Sequence, residues 1–491
     1  MDKNKSHKQI LKSTAVVGGA QIFSIIIGIF KTKVIAVLLG PSGVGIIGIL
    51  QSTTDLVRNA TSFGINFSGV KDVAEATGTG DKNRIDRTIT ILRRWALGTG
   101  LLGMFITIGL SIPLSNFSFG DKSYAISIAI ISITLLITSI SAGQIAILQG
   151  LRQIGQMAKA TLYGTLLGTI ITLPLYWWLG VDGIVPGMIL TALGGLLISW
   201  WFASKVKIQK PKLTFAETIK GGQKMAQLGF FIVIQGFVAS ATLYIVRAFV
   251  ASKLNIDAVG YYQASWMIAN LYMGIVLRSM LADFFPRLSA INTDNKASIK
   301  LVNEQLEMAL VVGAPMIISL MAFAGLVINV LYSSSFSISI RLLQWLMSSS
   351  FITLIAWPLG TIFLAKNKGI FTVIADGIWS LIFLFLIYYG WPYVGFYLLG
   401  IATLLASAGR VLFIIVLTHY MGYFSFSKIN VSYIILYGGA TIIVLLNVLF
   451  IENYLQYFIS GIILTLSLVF SYDRLKRIVD IKSIVMKYLK K

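Results

Sequence analysis

The sequence predicts an all-α membrane protein that crosses the bilayer many times, and two observations support this fold class. Hydrophobic residues make up 56% of the 491 residues, whereas charged residues make up only 12%, compared with about 25% in ordinary soluble domains. The hydrophobic residues also occur in long runs, and a helix needs about 20 of them to span a bilayer. The composition therefore excludes an ordinary soluble protein.

Fourteen apolar runs, separated by charge clusters and by Gly or Pro, predict fourteen transmembrane helices. The first run is too long for a removable signal peptide, so we expect it to be part of the mature protein. In chain order, we expect the spans at residues 10–39, 43–70, 88–112, 123–150, 158–179, 184–203, 225–253, 258–285, 301–332, 337–365, 370–389, 394–418, 430–450 and 456–473.

The basic residues predict the orientation of these spans. With the N-terminus inside, 31 of the 40 Lys and Arg residues fall in cytoplasmic segments, and the outer loops hold only Lys122 and Lys253. Cytoplasmic loops of membrane proteins carry such an excess of Lys and Arg. We therefore expect a multi-pass protein with both termini in the cytoplasm.

Several kinds of chemistry are absent from the sequence. The chain has no cysteine, and its two histidines, His7 and His419, show no paired-ligand spacing. It also lacks the glycine-rich phosphate loop of ATP-driven pumps. We therefore expect no cofactor, no metal site and no catalytic residue. The net charge of +22 is explained by membrane orientation, and we expect no nucleic-acid partner.

Weak internal matches predict two lobes of six spans each. Val44-Gly45 matches Val259-Gly260 at an offset of 215, and Gly155 matches Gly369 at 214. An even number of spans per copy predicts copies of the same orientation, related by an axis along the membrane normal. We expect an N-lobe at 1–204, a basic cytoplasmic linker at 205–224, a C-lobe at 225–421, two extra spans within 422–473 and a basic amphipathic tail at 474–491.

Four segments carry a family resemblance. They are GPSGVG at 40–45, SFGINFSGVKDVAEA at 62–76, FFPRLSAI at 284–291 and LYSSSFSISIRLLQW at 331–345. They resemble the O-antigen and enterobacterial common antigen translocases of the multidrug/oligosaccharidyl-lipid/polysaccharide exporter superfamily. The resemblance covers most of residues 10–420. It implies that the chain flips an undecaprenyl-pyrophosphate-linked oligosaccharide across the inner membrane, by alternating access.

This family usually has twelve spans, whereas fourteen are expected here, as in the lipid II flippases of the superfamily. The extra pair leaves the identity of the substrate open, and one interpretation is that it holds the lipid tail. The partners that the resemblance implies are the lipid-linked glycan of lipopolysaccharide biosynthesis, membrane lipids, and the polymerase and chain-length proteins of the same pathway.

Basic residues inside the predicted spans are the main candidates for binding. A charge at the centre of a membrane helix costs about 2.5 to 3.5 kcal/mol and therefore marks a wet interior or a partner. Because Arg and Lys bind phosphate oxygens, we expect them to hold the pyrophosphate in a cationic cavity. The candidates are Lys31, Arg58, Arg247, Arg278, Arg341 and Arg410. Lys33 points away from the polar face of its span and is interpreted as extending to the interface.

Polar residues share helix faces with these cations. At 100° per residue, Gln51, Asp55, Arg58 and Asn59 lie on one stripe of the second span. The residues expected to line the cavity are Gln21, Gln51, Asn59, Asn66, Asn270 and Gln344. Trp266 and Trp345 have two interpretations, which are stacking on sugar rings and ordinary packing.

The embedded charges also have a structural interpretation, in which they pair within the fold. Asp55 is the candidate for proton or cation coupling, but its i,i+3 spacing to Arg58 equally predicts an ion pair. Asp283 and Arg287, at i,i+4, are predicted to form a structural pair. An anion moving outward across an inside-negative membrane gains about 2.3 kcal/mol per charge per 100 mV, so the potential alone favours export of a pyrophosphate.

Three other functions compete with a flippase. A multidrug or small-solute exporter of the same fold is expected to use acidic rather than basic sites. A polysaccharide polymerase or ligase is expected to carry a large outer loop with acid and base residues, whereas the predicted outer loops here are short. A passive structural protein gives no reason for seven costly intramembrane charges. We therefore rank the flippase first, the exporter second and the enzyme third.

Overall fold

The computed structural model describes residues 3–206, 208, 209, 211–451 and 454–478, and no β-strand occurs in these ranges. The side chains of residues 3–18, 66, 224, 226–228, 278, 279, 282 and 478 are outside this description. The predicted amphipathic tail at 474–491 lies beyond the described residues after Ile478. The chain is an all-helical, multi-pass membrane protein.

The first of two compact units comprises Met1–Gly260 and Leu331–Ser333. Within it, α1 packs against α7, α3 against α6, and α7 against α8. Its helices are α1 (Lys3–Thr61), α2 (Ile65–Thr79), α3 (Lys82–Gly109), α4 (Ser111–Phe119), α5 (Ala125–Ile131), α6 (Ile133–Gly150), α7 (Ile154–Leu179), α8 (Ile184–Ser204), α9 (Phe215–Lys253) and the first residues of α10 (Ile256–Ala290).

The second unit comprises Tyr261–Val330 and Ser334–Lys491. The two C-terminal helices pack against α11, where Asn430 donates to the backbone and side-chain oxygens of Asn303, both at 2.9 Å. Besides the rest of α10, the helices are α11 (Asn295–Ala322), α12 (Ala324–Leu331), α13 (Ile338–Ala365), α14 (Ile370–Val394), α15 (Leu398–Tyr420), α16 (Lys428–Phe450) and α17 (Tyr454–Ile478).

Ten segments of the described residues are long and apolar enough to cross a membrane, compared with the fourteen spans predicted from the sequence. Three of the ten are much longer than one crossing requires, namely Gly19–Thr61 with 43 residues and Ile154–Ser204 and Ile370–Tyr420 with 51 residues each. The predicted lobes at 1–204 and 225–421 stay a prediction. The contacts group α9 with the first unit because α9 packs along α1, α2 and α3.

Helix α1 is interrupted at Gly40, whose φ of 63° and ψ of −168° are not helical. Glycine adopts this left-handed φ without a Cβ clash, and the following Pro41 lacks an N–H group to continue the hydrogen-bond ladder. The sequence predicts a short turn between two spans at this point. The structure breaks the helix at this same position, between two helical segments.

The repeated glycines lie in direct contact. A Cβ on Gly45 would be 2.2 Å from the carbonyl oxygen of Ile256, and a Cβ on Gly260 would be 2.0 Å from that of Pro41. Real Cβ atoms do not approach oxygen this closely, so only glycine fits at either position. The Val-Gly match found in the sequence therefore marks a close backbone crossing in the first unit.

The described residues of the basic linker contact α3, through Gln209, Leu213, Glu217 and Thr218. Its second half is helical, because α9 begins at Phe215 with a capping box between Thr214 and Glu217. Hydrogen bonds to the backbone and side chain of Thr214, together with the nearby Arg87 guanidinium at 3.0 Å, lower the pKa of the Glu217 carboxyl. The Trp95 indole donates to the Thr218 carbonyl at 2.7 Å. The sequence predicts a loop here, and the structure shows an anchored helix start.

Candidate functional site

The polar stripe predicted on the second span lies on the less packed side of α1. Ile49 and Leu50 are fully buried, whereas Gln51 and Arg58 are exposed and Asp55 is half-buried in the isolated chain. An ion pair joins an Arg58 nitrogen to an Asp55 oxygen at 2.6 Å, with side-chain exposures of 46% and 34%. The ion pair expected from the i,i+3 spacing is therefore present, and the guanidinium remains accessible.

Arg58 lines a small cavity of about 100 Å³ in the first unit. Its polar lining is otherwise made of hydroxyl groups, from Thr61, Ser62, Thr99, Thr138 and Ser139. The Arg58 guanidinium is suited to bind an oxyanion, because Arg donates two parallel hydrogen bonds to such a group. Four of the five hydroxyls donate to backbone carbonyls, so the guanidinium is the main donor in this cavity.

Asn59 is tied to a neighbouring helix. Its side-chain amide donates to the Gly236 carbonyl on α9 at 3.1 Å. Five residues after Asn59, an added Cβ on Gly64 would be 2.7 Å from the Gly229 Cα of α9. These contacts hold α1 and the start of α2 against α9, so Asn59 has a packing role in addition to its predicted place in the cavity lining.

The first segment of α1 presents Gln21 exposed and Lys31 half-buried. Lys33, which the sequence predicts to extend to the interface, donates its ammonium to the carbonyl oxygen of Tyr332. The ammonium thus has a partner within the protein, and its extension to the interface stays a prediction. No sequence signal identifies the bond, since a backbone carbonyl is not encoded by a residue type.

The polar face of α9 is packed inside the first unit. Arg247 is only 6% exposed, and Ser240 and Tyr244 are also buried. The Tyr244 hydroxyl accepts from Ser118 at 2.8 Å and donates to the Leu114 carbonyl at 3.3 Å. In this conformation Arg247 belongs to a packed face and is less accessible than Arg58.

In the second unit, α13 carries Arg341, whose guanidinium lies 5.7 Å from the centre of the Tyr397 ring. This distance is within the range of a cation–π interaction. Gln344 is buried, and its backbone carbonyl accepts from Ser348 at 3.1 Å. Gly400 lies against Trp345, because a Cβ there would be 2.4 Å from that of the tryptophan. Trp345 is therefore in packing contact.

Arg410 has an acidic partner that the sequence interpretation did not assign. Its guanidinium is 2.8 Å from the Asp376 carboxylate, with side-chain exposures of 31% and 19%. The signal was an acidic residue inside a predicted span, but the pairing joins α14 to α15 and cannot be read from spacing. Next to this pair, the Trp379 indole donates to Ser407 at 3.1 Å.

The structure describes some of the remaining candidate residues and not others. Asn270 is exposed and donates to the Trp266 carbonyl at 2.9 Å, while the Trp266 ring lies 6.4 Å from that of Trp379. The side chains of Asn66 and Arg278 lie outside the described residues. In the described part of the chain, no group of three or more His, Asp or Glu side chains is arranged to hold a metal ion.

These candidates fall in both compact units. Lys31, Arg58 and Arg247 belong to the first unit, and Arg341 and Arg410 to the second. A single cavity shared by all of them stays a prediction. Among the described side chains, Arg58 lies beside Asp55 in the first unit, and in the second unit Arg341 lies beside Tyr397 and Arg410 beside Asp376.

Comparison with known proteins gives matches over most of the chain. The model of a polysaccharide biosynthesis protein family matches residues 34–341. The lipid III flippases of Escherichia coli strain K12 and of Shigella flexneri are each 22% identical to this chain over 354 residues, which is 71% of this chain and 83% of each relative.

Solved structures of transporters are similar along most of their length. The lipid II flippase MurJ in an inward closed conformation gives a TM-score of 0.67 at 18% identity, covering 94% of this chain and 98% of that one. An inward-facing multidrug resistance transporter of the MATE family, in the MOP superfamily, gives 0.66 at 15% identity, covering 81% and 95%. These likenesses establish the fold, and the relatives are flippases and transporters, not enzymes.

Proposed function

Since the chain belongs to the polysaccharide biosynthesis protein family, we propose that it is a flippase for an undecaprenyl-pyrophosphate-linked oligosaccharide of the O-antigen type. It moves this lipid from the inner to the outer leaflet of the bacterial inner membrane. The observation that carries the proposal is the Arg58 guanidinium, which lies within an apolar helix, is 46% exposed and lines a cavity with hydroxyl groups. The lipid III flippases support a lipid-linked glycan as the cargo class.

The membrane topology that we propose has fourteen crossings and both termini in the cytoplasm. About 20 residues suffice for one crossing, so each of the segments of 43, 51 and 51 residues provides two. Helix α10, with 35 residues, provides one more. The segment of 43 residues is divided at Gly40, and the other two contain short 3₁₀ turns at Gly180–Gly183 and Gly395–Tyr397.

Among the predicted cations, we assign the primary contacts with pyrophosphate to Arg58, Lys31 and Arg341. Arg247 is buried in the conformation described, and Arg410 is bound to Asp376. A phosphate that reached Arg410 would have to displace that carboxylate. We assign secondary roles in binding the pyrophosphate to Arg247, Arg410 and Arg278.

The membrane potential supplies a driving force for this cargo. Each negative charge that moves outward gains about 2.3 kcal/mol per 100 mV. Asp55 retains a second role in the proposal, because protonation of its carboxylate would release Arg58 from the ion pair at 2.6 Å and strengthen its hold on phosphate. If Asp55→Asn transports normally when the proton gradient is collapsed and then restored, Asp55 does not couple transport to protons.

The test measures the sidedness of the lipid-linked glycan. In a strain that lacks the gene, a membrane-impermeant probe on intact spheroplasts should detect the glycan outside only after the gene is restored. Arg58→Glu and Arg341→Glu should each lower the outside signal at least tenfold, because a carboxylate repels the pyrophosphate. Lys122→Glu makes the same change of charge on an exposed residue between α4 and α5 and should have no effect. Full export by both site variants would contradict the cationic site.

A second candidate is a multidrug exporter, and the fold match to a MATE family transporter favours it. That function predicts that the gene lowers the accumulation of a cationic dye in cells. It also predicts that the glycan reaches the outer face whether or not the gene is present. The same two strains therefore separate the two functions.

A further inference from the structure

We propose that a cavity between α6, α7 and α8 of the first unit is a saccharide subsite, and that it holds the sugar nearest the pyrophosphate of the cargo. This inference rests on the proposed flippase function and adds a second binding element to it. The cavity has a volume of about 520 Å³, which is in the range of about 300 to 1,000 Å³ typical of small-molecule sites.

The lining of the cavity is uncharged and rich in hydroxyl groups. Small side chains such as Ala142, Ala192 and Gly195 leave the space open, and no lining residue is acidic or basic. An uncharged site favours a neutral ligand, because an unpaired charge would lose its hydration there. Six hydroxyl groups line the walls, from Thr138, Ser141, Thr161, Thr165, Thr191 and Ser199.

These hydroxyl groups are arranged to accept hydrogen bonds. Thr138 donates to the Thr134 carbonyl at 2.6 Å, and Thr165 donates to the Thr161 carbonyl at 2.9 Å. Each hydroxyl has one hydrogen and two lone pairs. With the hydrogen used inside the helix, the oxygen accepts from a ligand. The hydroxyls alternate with small apolar side chains such as Ala142, Ala160 and Ala192. A ligand with O–H donors, C–H faces and no charge matches such a wall, and a sugar ring has this chemistry.

The cavity adjoins the one lined by Arg58. Thr138 and Ala142 line both cavities, so a group at Arg58 and a group among the hydroxyls would be neighbours. In an undecaprenyl-pyrophosphate-linked glycan, the first sugar is bonded directly to the pyrophosphate. One molecule therefore places its phosphate at Arg58 and its first sugar in the hydroxyl-lined cavity.

The experiment compares two probes on the purified full-length protein in lipid nanodiscs. One is undecaprenyl pyrophosphate that bears a neutral disaccharide, and the other is undecaprenyl pyrophosphate alone. Thr165→Val removes one acceptor without changing the shape of the side chain. It should weaken binding of the glycan-bearing probe about threefold to tenfold, the value of one hydrogen bond. Binding of undecaprenyl pyrophosphate alone should change less than twofold.

A second variant fills the cavity and has a different chemical effect. A Cβ on Gly195 meets nothing within 4 Å, so Gly195→Leu extends into the open space. It should weaken the glycan-bearing probe more than tenfold and leave the bare lipid within twofold. The matched control for Thr165→Val is Thr169→Val, which lies on α7 as Thr165 does. Thr169 also donates to the carbonyl four residues earlier, at 2.8 Å, but it does not line the cavity, so both probes should bind normally.

Each outcome bears on the subsite or on the function itself. If both cavity variants bind the glycan-bearing probe like the unmodified protein, there is no saccharide subsite, and the flippase proposal stands. If they lose both probes equally, the cavity supports the fold and the subsite is wrong. If the unmodified protein binds neither probe, the proposed function fails together with the subsite, and the sidedness measurement should fail with it.

Discussion

At the scale of single residues, two of the candidate cations have an acidic partner close by. Arg58 has Asp55 at 2.6 Å, and Arg410 has Asp376 at 2.8 Å. The second pair is less exposed, and the Nε of Arg410 is buried without a hydrogen-bond partner among the described residues. Removing one member of a buried pair costs more than removing both, because a lone charge is left behind. The more exposed Arg58 can therefore leave its carboxylate for a ligand more easily than Arg410 can.

We predict that Asp376→Leu and Arg410→Met each destabilise the protein by about 1 to 3 kcal/mol, an estimate reduced because the pair is partly exposed. The double variant should be more stable than either single one, since it leaves no unpaired charge. Thermal unfolding of the purified protein measures this. The control is Asp283→Ala, which breaks the exposed pair with Arg287 at 3.1 Å and should cost less than about 1 kcal/mol. Additive losses in the double variant would contradict a coupled pair.

At the scale of helices, local features could be predicted from the sequence and long-range ones could not. The pairs of Asp55 with Arg58 and of Asp283 with Arg287 are confirmed, because three or four residues along a helix fix their geometry. The contact of Asp376 with Arg410 joins two helices, so it depends on packing. The break at Ser132 between α5 and α6 also escaped the sequence analysis, because hydropathy is continuous across it.

Helix α9 and the basic linker offer a sharp test of packing. A Cβ on Gly222 would lie 1.8 Å from the Trp95 indole, so Gly222→Ala must displace either that indole, which donates to the Thr218 carbonyl, or α9 itself. We expect a loss of about 1 to 3 kcal/mol in thermal stability. Gly98→Ala, on α3, meets nothing within 4 Å and should be neutral or stabilising by up to about 1 kcal/mol. Equal effects of the two substitutions would show that Gly222 is not in tight contact.

At the scale of the whole molecule, the sequence predicted a helical membrane protein with an internal repeat, and the structure confirms the helical class. Of the matches, Gly45 and Gly260 lie where two backbones cross too closely for any side chain, whereas Gly155 has nothing within 4 Å, and the repeat itself stays a prediction. The sequence did not predict that α9 would group with the first six spans. Hydropathy locates helices along the chain, but it contains no information about which helices share an interface.

The orientation in the membrane can be measured by labelling single introduced cysteines, because the chain contains no cysteine of its own. Lys122→Cys, Lys253→Cys and Lys428→Cys each introduce a single thiol at an exposed position. On intact spheroplasts, an impermeant maleimide should label the first two and should label the third only after lysis, as the excess of cytoplasmic Lys and Arg predicts. Labelling of Lys428→Cys on intact spheroplasts would reverse the proposed topology.

The bond between Lys33 and the Tyr332 carbonyl can form only late in the synthesis of the protein. The two residues are 299 positions apart in the chain. A ribosome that adds about 5 to 20 residues per second needs about 15 to 60 s to make the stretch between them. During that time α1 lacks this contact with the Tyr332 carbonyl. The packing between α1 and the segment at Leu331–Ser333, which belongs to the same compact unit, is therefore completed only after two-thirds of the polypeptide has been made.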